Sequence, residues 1–121
     1  EILLAEDNPV NRIFISKLLK TNGHTVHAVT NGRDVLRHLK KNECDLVLMD
    51  IQMPEMDGIE TTRAIRMKGR EEGKLPIIAL TAYAMSGDRE RFLKAGMDGY
   101  VSKPVDTCSL AREIAQVLGW N

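Results

Sequence analysis

The sequence lacks the features that would place this 121-residue chain in a special compositional class. It has no excess of charge of one sign, because 17 lysines and arginines balance 17 aspartates and glutamates. A neutral chain creates no overall field for nucleic acid or an anionic membrane, so we expect this domain to bind neither. No apolar run approaches the length of a membrane span, and no signal peptide opens the chain. These absences favour a cytoplasmic domain and leave open a membrane anchor elsewhere in a parent protein.

Cysteine is scarce, and the sequence offers no disulfide framework. The two cysteines, Cys44 and Cys108, stand in apolar contexts, where a buried, unreactive thiol is expected more often than a disulfide or a metal ligand. The chain also has no initiator Met, and its first residues, EILLAED, already belong to a strand-like run. We therefore expect a single domain, residues 1–121, that was cut from a longer protein.

Short apolar runs alternate with stretches of helical period. The predicted strands are 2–5, 25–29, 46–49, 77–80 and 99–101. The predicted helices begin near Asn8, Asn31, Asp57, Ser86 and Asp106. The run at 46–49 is apolar on successive residues, as in a strand that is covered on both faces. Five strands that alternate with five helices predict an α/β fold with a doubly wound parallel sheet.

Polar residues follow four of the predicted strands, at the end where a doubly wound sheet binds ligands. They are Glu6 and Asp7 after the first strand, Asp50 after the third, Thr81 after the fourth and Lys103 after the fifth. Three neighbouring carboxylates repel one another unless a cation separates them, and their oxygen atoms suit Mg²⁺. A carboxylate can also attack phosphorus, while a lysine and a hydroxyl group position the phosphoryl group. We therefore predict Asp50 as a phosphoryl acceptor with Mg²⁺ as its cofactor.

Motifs along essentially the whole chain resemble the receiver domain of two-component response regulators. They are EDN at 6–8, LMDIQMPEMDG at 48–58, ALTA at 79–82 and SKP at 102–104. The resemblance implies a flavodoxin-like fold, with a five-stranded sheet of strand order 2-1-3-4-5 and five helices. It also implies a signalling switch that catalyses its own phosphorylation and dephosphorylation and acts on no separate substrate.

For the acceptor site, the resemblance implies a set of metal ligands around Asp50. Asp50 would receive its phosphoryl group from a histidine. Asp7 and Asp50 would bind Mg²⁺ directly, Glu6 would bind it through water, and the backbone carbonyl of Gln52 would be a further ligand.

For the conformational switch, the resemblance implies coupled movements of two side chains. Thr81 would move toward the phosphoryl group, and we expect the ring of Tyr100 to turn inward. Lys103 would pair with the phosphoryl group, and the bond from Lys103 to Pro104 would be cis. Tyr83, two residues after Thr81, is expected to slow hydrolysis by hindering the attacking water.

The variants MPEMDGIE and ALTAYAM are most similar to receivers that are fused to hybrid sensor histidine kinases. This implies a histidine kinase or a histidine phosphotransfer domain as the partner. Whether two copies form a homodimer through the fourth and fifth helices stays open.

Other functions on the same fold have less support. A degenerate receiver that acts only as a binding module would usually lack some of the acids. A Mg²⁺-dependent phosphatase with an aspartyl-phosphate intermediate commonly has a second acid two residues after the nucleophile, where this chain has Gln52. A flavin or nucleotide module favours glycines after the first strand, where this chain has EDNPVN.

Several residues near these motifs are assigned no chemical role. We expect Asp57 to cap the third helix and Gly58 to let the backbone turn. His24, His27 and His38 are scattered along the chain and are expected to lie away from the site.

The first helix carries apolar residues on two faces. At about 100° per residue, one stripe contains Val10, Ile13, Phe14 and Leu18, whereas Ile15 and Leu19 lie on the opposite side. We expect the stripe to face the core. The pair Ile15 and Leu19 would then form an outward apolar patch for a partner helix, unless the helix is covered on a wide front.

Overall fold

The computed structural model describes residues 1–53, 55–67, 75–82 and 88–119, which form one α/β fold. The strands are β1 (Ile2–Ala5), β2 (Val26–Val29), β3 (Leu46–Asp50), β4 (Ile77–Thr81) and β5 (Gly99–Ser102). The helices are α1 (Pro9–Thr21), α2 (Gly32–Lys41), α3 (Gly58–Met67), α4 (Asp88–Ala95) and α5 (Thr107–Leu118). All strand pairs are parallel, and the order β2-β1-β3-β4-β5 confirms the predicted fold.

Capping side chains set the starts of the helices at the predicted residues. Asn8 accepts hydrogen bonds from the backbone N–H groups of Val10 and Asn11, and Asn31 caps α2 in the same manner. Asp106 begins α5. The predicted start of the fourth helix, near Ser86, lies outside the described residues.

Alternate residues of the central strands enter two separate hydrophobic cores. On one face of the sheet, strand residues such as Leu3, Val47 and Ile77 pack with side chains of α2, α3 and α4. On the other face, residues such as Leu4 and Leu48 pack with side chains of α1 and α5. Every residue of β1, β3 and β4 is buried because helices cover both faces, which explains their continuous apolar runs.

The prediction for the two faces of α1 is wrong except for Leu18, which is half-buried against the core as expected. Ile15 and Leu19 are buried, with exposed fractions of 1% and 0%, and they belong to the core that α1 shares with α5. Val10, Ile13 and Phe14 are instead 74%, 66% and 49% exposed. Helical period gives the angle between two apolar faces, but the position of the sheet decides which face is covered.

The two cysteines differ from each other. Cys44 is half-buried against the first core, and burial raises the pKa of its thiol to about 11, as expected for an unreactive group. Cys108 is exposed in the first turn of α5, so the prediction that it is buried is wrong. Both thiols are free. In the described ranges, no helix has both the length and the apolar character needed to cross a membrane.

Candidate functional site

The carboxyl ends of β1, β3, β4 and β5 open into one cleft of about 530 Å³. Its lining includes all the residues that the sequence predicted for acceptance and metal binding: Glu6, Asp7, Asp50, Gln52, Thr81 and Lys103. β3 and β4 each end one residue later than predicted, so Asp50 and Thr81 are the last residues of these strands, and both are buried. The parallel sheet brings these groups together because it places every strand's carboxyl end at the same edge.

Three carboxylates converge in the cleft. One oxygen each from Glu6, Asp7 and Asp50 lies within 4.8 Å of the others. Glu6 is completely buried and Asp50 is 4% exposed, whereas Asp7 is exposed at the mouth. Backbone N–H groups hold the buried pair in place: Asn8 donates to Glu6 Oε1 at 3.2 Å, and Gln52 donates to Asp50 Oδ1 at 3.1 Å.

Lys103 is the cation at the centre of this cluster. Its Nζ lies 2.9 Å from Glu6 Oε2 and 3.2 Å from Asp50 Oδ2. Its backbone N–H donates to the carbonyl of Thr81 at 2.8 Å, which ties the end of β5 to the end of β4. The bond from Lys103 to Pro104 is cis, as the resemblance implied.

Burial and mutual repulsion change the protonation of the site. Burial, followed by the neighbouring Glu6, raises the pKa of Asp50 from 3.8 to about 6, although Lys103 opposes this shift. Burial alone would lower the pKa of Lys103, but the carboxylates of Glu6 and Asp50 more than offset it, so that pKa is raised. Lys103 is therefore charged at neutral pH, and Asp50 carries a destabilising charge.

The arrangement fits a hard divalent cation. Glu6 Oε2 is buried, with the ammonium group of Lys103 at 2.9 Å. Three carboxylates around this one ammonium group leave an excess of negative charge, which a bound cation would balance. Oxygen ligands from Glu6, Asp7 and Asp50 at an open cleft suit Mg²⁺, which keeps several waters.

Gly58 packs against the backbone of Asp50, which the sequence did not reveal. Its φ is not positive, so the expected need for a special turn conformation is wrong. A Cβ at this position would lie 2.5 Å from the carbonyl oxygen of Asp50. Gly58 also donates its N–H to the carbonyl of Ile51 at 3.0 Å, so α3 begins directly against the acceptor strand. Asp57 caps α3 as predicted, by accepting from the N–H of Glu60.

The predicted switch residues lie at two depths. Thr81 is buried at the cleft, whereas Tyr100 is half-buried on β5 outside the cleft lining. The Tyr100 ring is tilted against the ring of Phe92, with centroids 6.4 Å apart. Tyr83 lies outside the described residues, so its expected effect stays a prediction.

Sequence reasoning missed one charged residue of the cleft. Arg91, on α4, lines the cleft beside Asp7 and Gln52 and also borders the adjoining hollow that contains Met53 and Asp57. An exposed arginine on a short polar helix carries no sequence signal, since only the packing of α4 against the sheet brings it to the cleft mouth.

The histidines lie away from the cleft, as predicted, but two of them are in contact. The rings of His27 on β2 and His38 on α2 stack, with centroids 4.3 Å apart. Burial, and then the neighbouring His27, lowers the pKa of His38.

Comparison with known proteins agrees with this geometry. The family profile described as "Response regulator receiver domain" matches residues 2–115. The chain belongs to the response regulator receiver domain family. Members of this family are the phosphoaccepting switches of two-component systems, and they interact with histidine kinases or phosphotransfer domains.

The individual relatives are of two kinds: long proteins that this chain matches over a small part, and short proteins that it matches almost throughout. The chain is 42% identical over 120 residues to the sensor histidine kinase GacS of Pseudomonas protegens, covering 98% of this chain but only 13% of GacS. It is 35% identical over 118 residues to the polar-differentiation response regulator DivK of Brucella anthropi, covering 98% of this chain and 95% of DivK. The chain thus spans a small part of one kind of relative and almost all of the other.

A solved receiver structure has a very similar fold. It is the receiver domain of the sensor histidine kinase PA1611 from Pseudomonas aeruginosa, described with a magnesium ion coordinated in the active-site cleft. The TM-score is 0.89 at 42% sequence identity, and the match covers 98% of this chain and 96% of that one.

Proposed function

We propose that this receiver domain accepts a phosphoryl group on Asp50 from a histidine of a partner protein, with Mg²⁺ bound by the acidic cluster. The supporting observation is the convergence of Asp50 with Glu6, Asp7 and Lys103 in one cleft. In the reaction, an Asp50 carboxylate oxygen forms a bond to phosphorus. The phosphorus–nitrogen bond of the donor breaks, and its electron pair stays on the imidazole ring.

Each neighbour of Asp50 has a distinct part in this proposal. Glu6, Asp7, Asp50 and the backbone carbonyl of Gln52 hold Mg²⁺, which when bound supplies positive charge to the transferring oxygens. Lys103 is already within 3.2 Å of Asp50 Oδ2 and would pair with a phosphoryl oxygen. Thr81 would donate its hydroxyl hydrogen to another oxygen of that group.

Intact-mass measurement tests the proposed acceptor directly. Incubation with Mg²⁺ and a small-molecule phosphodonor should add one phosphoryl group to the wild type and none to Asp50→Asn. Chelation of Mg²⁺ should abolish the gain. If the folded wild type with bound Mg²⁺ gains no phosphoryl group, the acidic cluster serves binding only and the chain is a degenerate receiver.

The phosphatase alternative has no further support in the cleft. Such an enzyme needs a general acid near the nucleophile, and the residue two positions after Asp50 is Gln52. Gln52 cannot donate a proton as an acid, and its backbone N–H is used to hold Asp50 Oδ1.

We further propose that the outward stripe of α1, formed by Val10, Ile13 and Phe14, receives the histidine-bearing helix of a kinase or phosphotransfer domain. These three side chains are exposed, and the start of α1 lines the acceptor cleft through Asn8 and Asn11. A donor must bring its phosphohistidine to the mouth of the cleft, and a donor helix that packs on α1 would place it there. An apolar stripe next to a reactive cleft suits the apolar face of such a helix.

A donor comparison tests the docking stripe. Phe14→Asp should reduce transfer from a protein donor by more than tenfold while leaving phosphorylation by a small-molecule donor unchanged. Met67→Asp is the matched control, because Met67 is 87% exposed at the end of α3, away from the cleft lining. Normal protein-donor transfer to Phe14→Asp would contradict the proposal. Ile15→Asp cannot serve as a test, since Ile15 is a core residue.

The half-buried Tyr100 is the proposed conformational reporter. We infer that its ring turns inward when Thr81 moves toward the phosphoryl group, shifting a population that is already accessible. Its ring is half-buried beside Phe92 and lines a hollow of about 770 Å³ outside the cleft, which gives the ring room to exchange between a wet and a covered setting. An unchanged ring position between the free form and a beryllofluoride-bound crystal structure would contradict this.

For the parent protein, we propose a cytoplasmic receiver module within a hybrid sensor histidine kinase. The support is the small share of GacS that the chain spans and its high coverage of the PA1611 receiver. The coverage of DivK supports the alternative of a stand-alone regulator. Sequencing the complete reading frame that encodes residues 1–121 distinguishes them, because a kinase region beside the receiver is expected only in the first case.

A further inference from the structure

We propose that Arg91 contacts the phosphoryl group on Asp50 and thereby draws α4 toward the phosphorylated site. The proposal rests on the proposed phosphorylation of Asp50, and it gives α4 a direct ionic link to the state of the acceptor. Arg91 would act as a positioning residue for the phosphorylated form rather than as a member of the metal-binding set.

The position of Arg91 is the first observation. It is a residue of α4, yet it lines both the cleft and the adjoining hollow, as Asp7 and Gln52 also do. Its guanidinium carbon lies 5.5 Å from the centre of the Phe92 ring, and its side chain is exposed. Among the side chains that the structure describes, no carboxylate lies within ion-pair distance of it.

The charge balance of the cleft is the second observation. Glu6, Asp7 and Asp50 supply three negative charges, which Lys103 and a bound Mg²⁺ balance with three positive charges. Phosphoryl transfer replaces the single charge of Asp50 by about two charges on the phosphoryl group. One negative charge then has no counter-charge among these groups.

Arg91 and Lys103 are the two cationic side chains in the described lining of the cleft. Lys103 is already bound to Glu6 and Asp50. Arg12, outside the lining, donates to the backbone carbonyls of Glu6 and Asp7. Within the described lining, Arg91 is therefore the cation without an ionic partner that can balance the new charge. A guanidinium group also matches phosphate oxygens in a bidentate geometry. Because the unphosphorylated, Mg²⁺-bound cleft is neutral, the attraction on Arg91 arises only after transfer.

A movement of α4 would also affect the side of this helix that faces the core. Phe92, the next residue, is buried in the first core and packs against Tyr100. Movement of α4 toward the cleft would therefore change the packing next to Tyr100.

Binding of beryllofluoride, a phosphoryl mimic, tests the contact in the intact domain. In the presence of Mg²⁺, calorimetry should show beryllofluoride binding to Arg91→Gln that is about threefold to tenfold weaker than to the wild type, the range of a partly exposed charge-assisted contact. The affinity for Mg²⁺ alone should change by less than about twofold, because Arg91 is no ligand. The difference should shrink in about 0.5 M salt, since exposed charges are screened.

Two variants of α4 control for general charge effects. Lys94→Gln removes the same charge from the same helix, but Lys94 is exposed and lies outside the cleft lining. The Lys94→Gln variant should therefore bind beryllofluoride with the affinity of the wild type. Arg91→Lys should retain part of the affinity. Hydrogen exchange of residues 88–95 should slow on beryllofluoride binding in the wild type and not in Arg91→Gln.

The outcomes separate this contact from the function on which it rests. Equal affinity in the wild type and Arg91→Gln, or an equal loss in Lys94→Gln, would overturn the Arg91 contact alone. Failure of the wild type to bind beryllofluoride with Mg²⁺ present would overturn the acceptor role of Asp50 as well.

Discussion

At the scale of single residues, the charge on the buried carboxylate of Asp50 destabilises the folded domain. Asp50 is 4% exposed, lies beside Glu6 and has a pKa of about 6 in place of 3.8. Because the folded state holds this proton more tightly than the unfolded chain, raising the pH from below 3.8 through about 6 lowers stability. The charged form of Asp50 is thus kept at a cost that a bound Mg²⁺ can relieve.

The residue-scale prediction concerns Asp50→Asn without metal. The variant removes the buried charge, so it should be more stable than the wild type at pH 8, by up to about 3 kcal/mol. The advantage should grow by about 1.5 kcal/mol between pH 5 and pH 8, as the wild-type carboxylate ionises. Urea unfolding with a chelator at the two pH values measures this, with the exposed Glu43→Gln as the control. An advantage that is independent of pH would show that Asp50 carries no such cost.

At the scale of secondary-structure elements, one arginine holds the amino-terminal edge of the sheet. Arg66, in the last turn of α3, donates from Nε to the carbonyl of Gly96 at 2.8 Å and from Nη1 to that of Leu75 at 2.6 Å. Its Nη2 lies 2.9 Å from Asp98 Oδ2, and this same oxygen accepts from the N–H of Ile77. Gly96 has a φ of 107° and lies directly against the Arg66 side chain. The end of α3, the start of β4 and the turn before β5 are therefore joined.

The element-scale prediction is that Arg66→Met destabilises the domain by about 2–3 kcal/mol, because the methionine keeps the apolar stem but leaves the acceptors without their donor. Arg37→Met is the matched control, since the Arg37 side chain is 78% exposed and its pair with Asp34 spans 3.6 Å. It should change stability by less than about 0.5 kcal/mol. Thermal unfolding of both variants measures the difference, and similar losses would refute a special role for Arg66.

At the scale of the whole molecule, metal binding and folding are linked through the acidic cluster. Glu6, Asp7 and Asp50 come from two non-adjacent stretches of the chain, so this acidic cluster exists only when β1 and β3 are paired. A ligand that binds only the folded state stabilises it by mass action.

The molecule-scale prediction follows from this linkage. Mg²⁺ at ten times its dissociation constant should stabilise the wild type by about 1.4 kcal/mol, and a chelator should remove the effect. Asp7→Asn should show a much smaller increase, whereas Glu43→Gln, which changes an exposed acid outside the cluster, should respond like the wild type. An equal response of Asp7→Asn and the wild type would exclude Asp7 as a ligand. The stabilisation should also weaken below about pH 6, where protonation of Asp50 competes with the metal.

The sequence by itself determined the order of the elements and the membership of the acceptor cleft. Continuous apolar runs mark strands that are covered on both faces, and a parallel sheet must bring Glu6, Asp50, Thr81 and Lys103 to the same edge. These inferences need only local patterns and the direction of the strands.

Only the tertiary structure decided the features that depend on distant neighbours. Helical period left open which face of α1 the sheet covers, and Ile15 proved to be the core residue. The need for glycine at position 58 comes from the Asp50 carbonyl rather than from its own turn. Arg66 and Arg91 have no local signal, because the acceptors of Arg66 and the cleft that Arg91 lines belong to other elements. Such contacts form between segments that are far apart in the chain, and the periodicity of a single segment does not predict them.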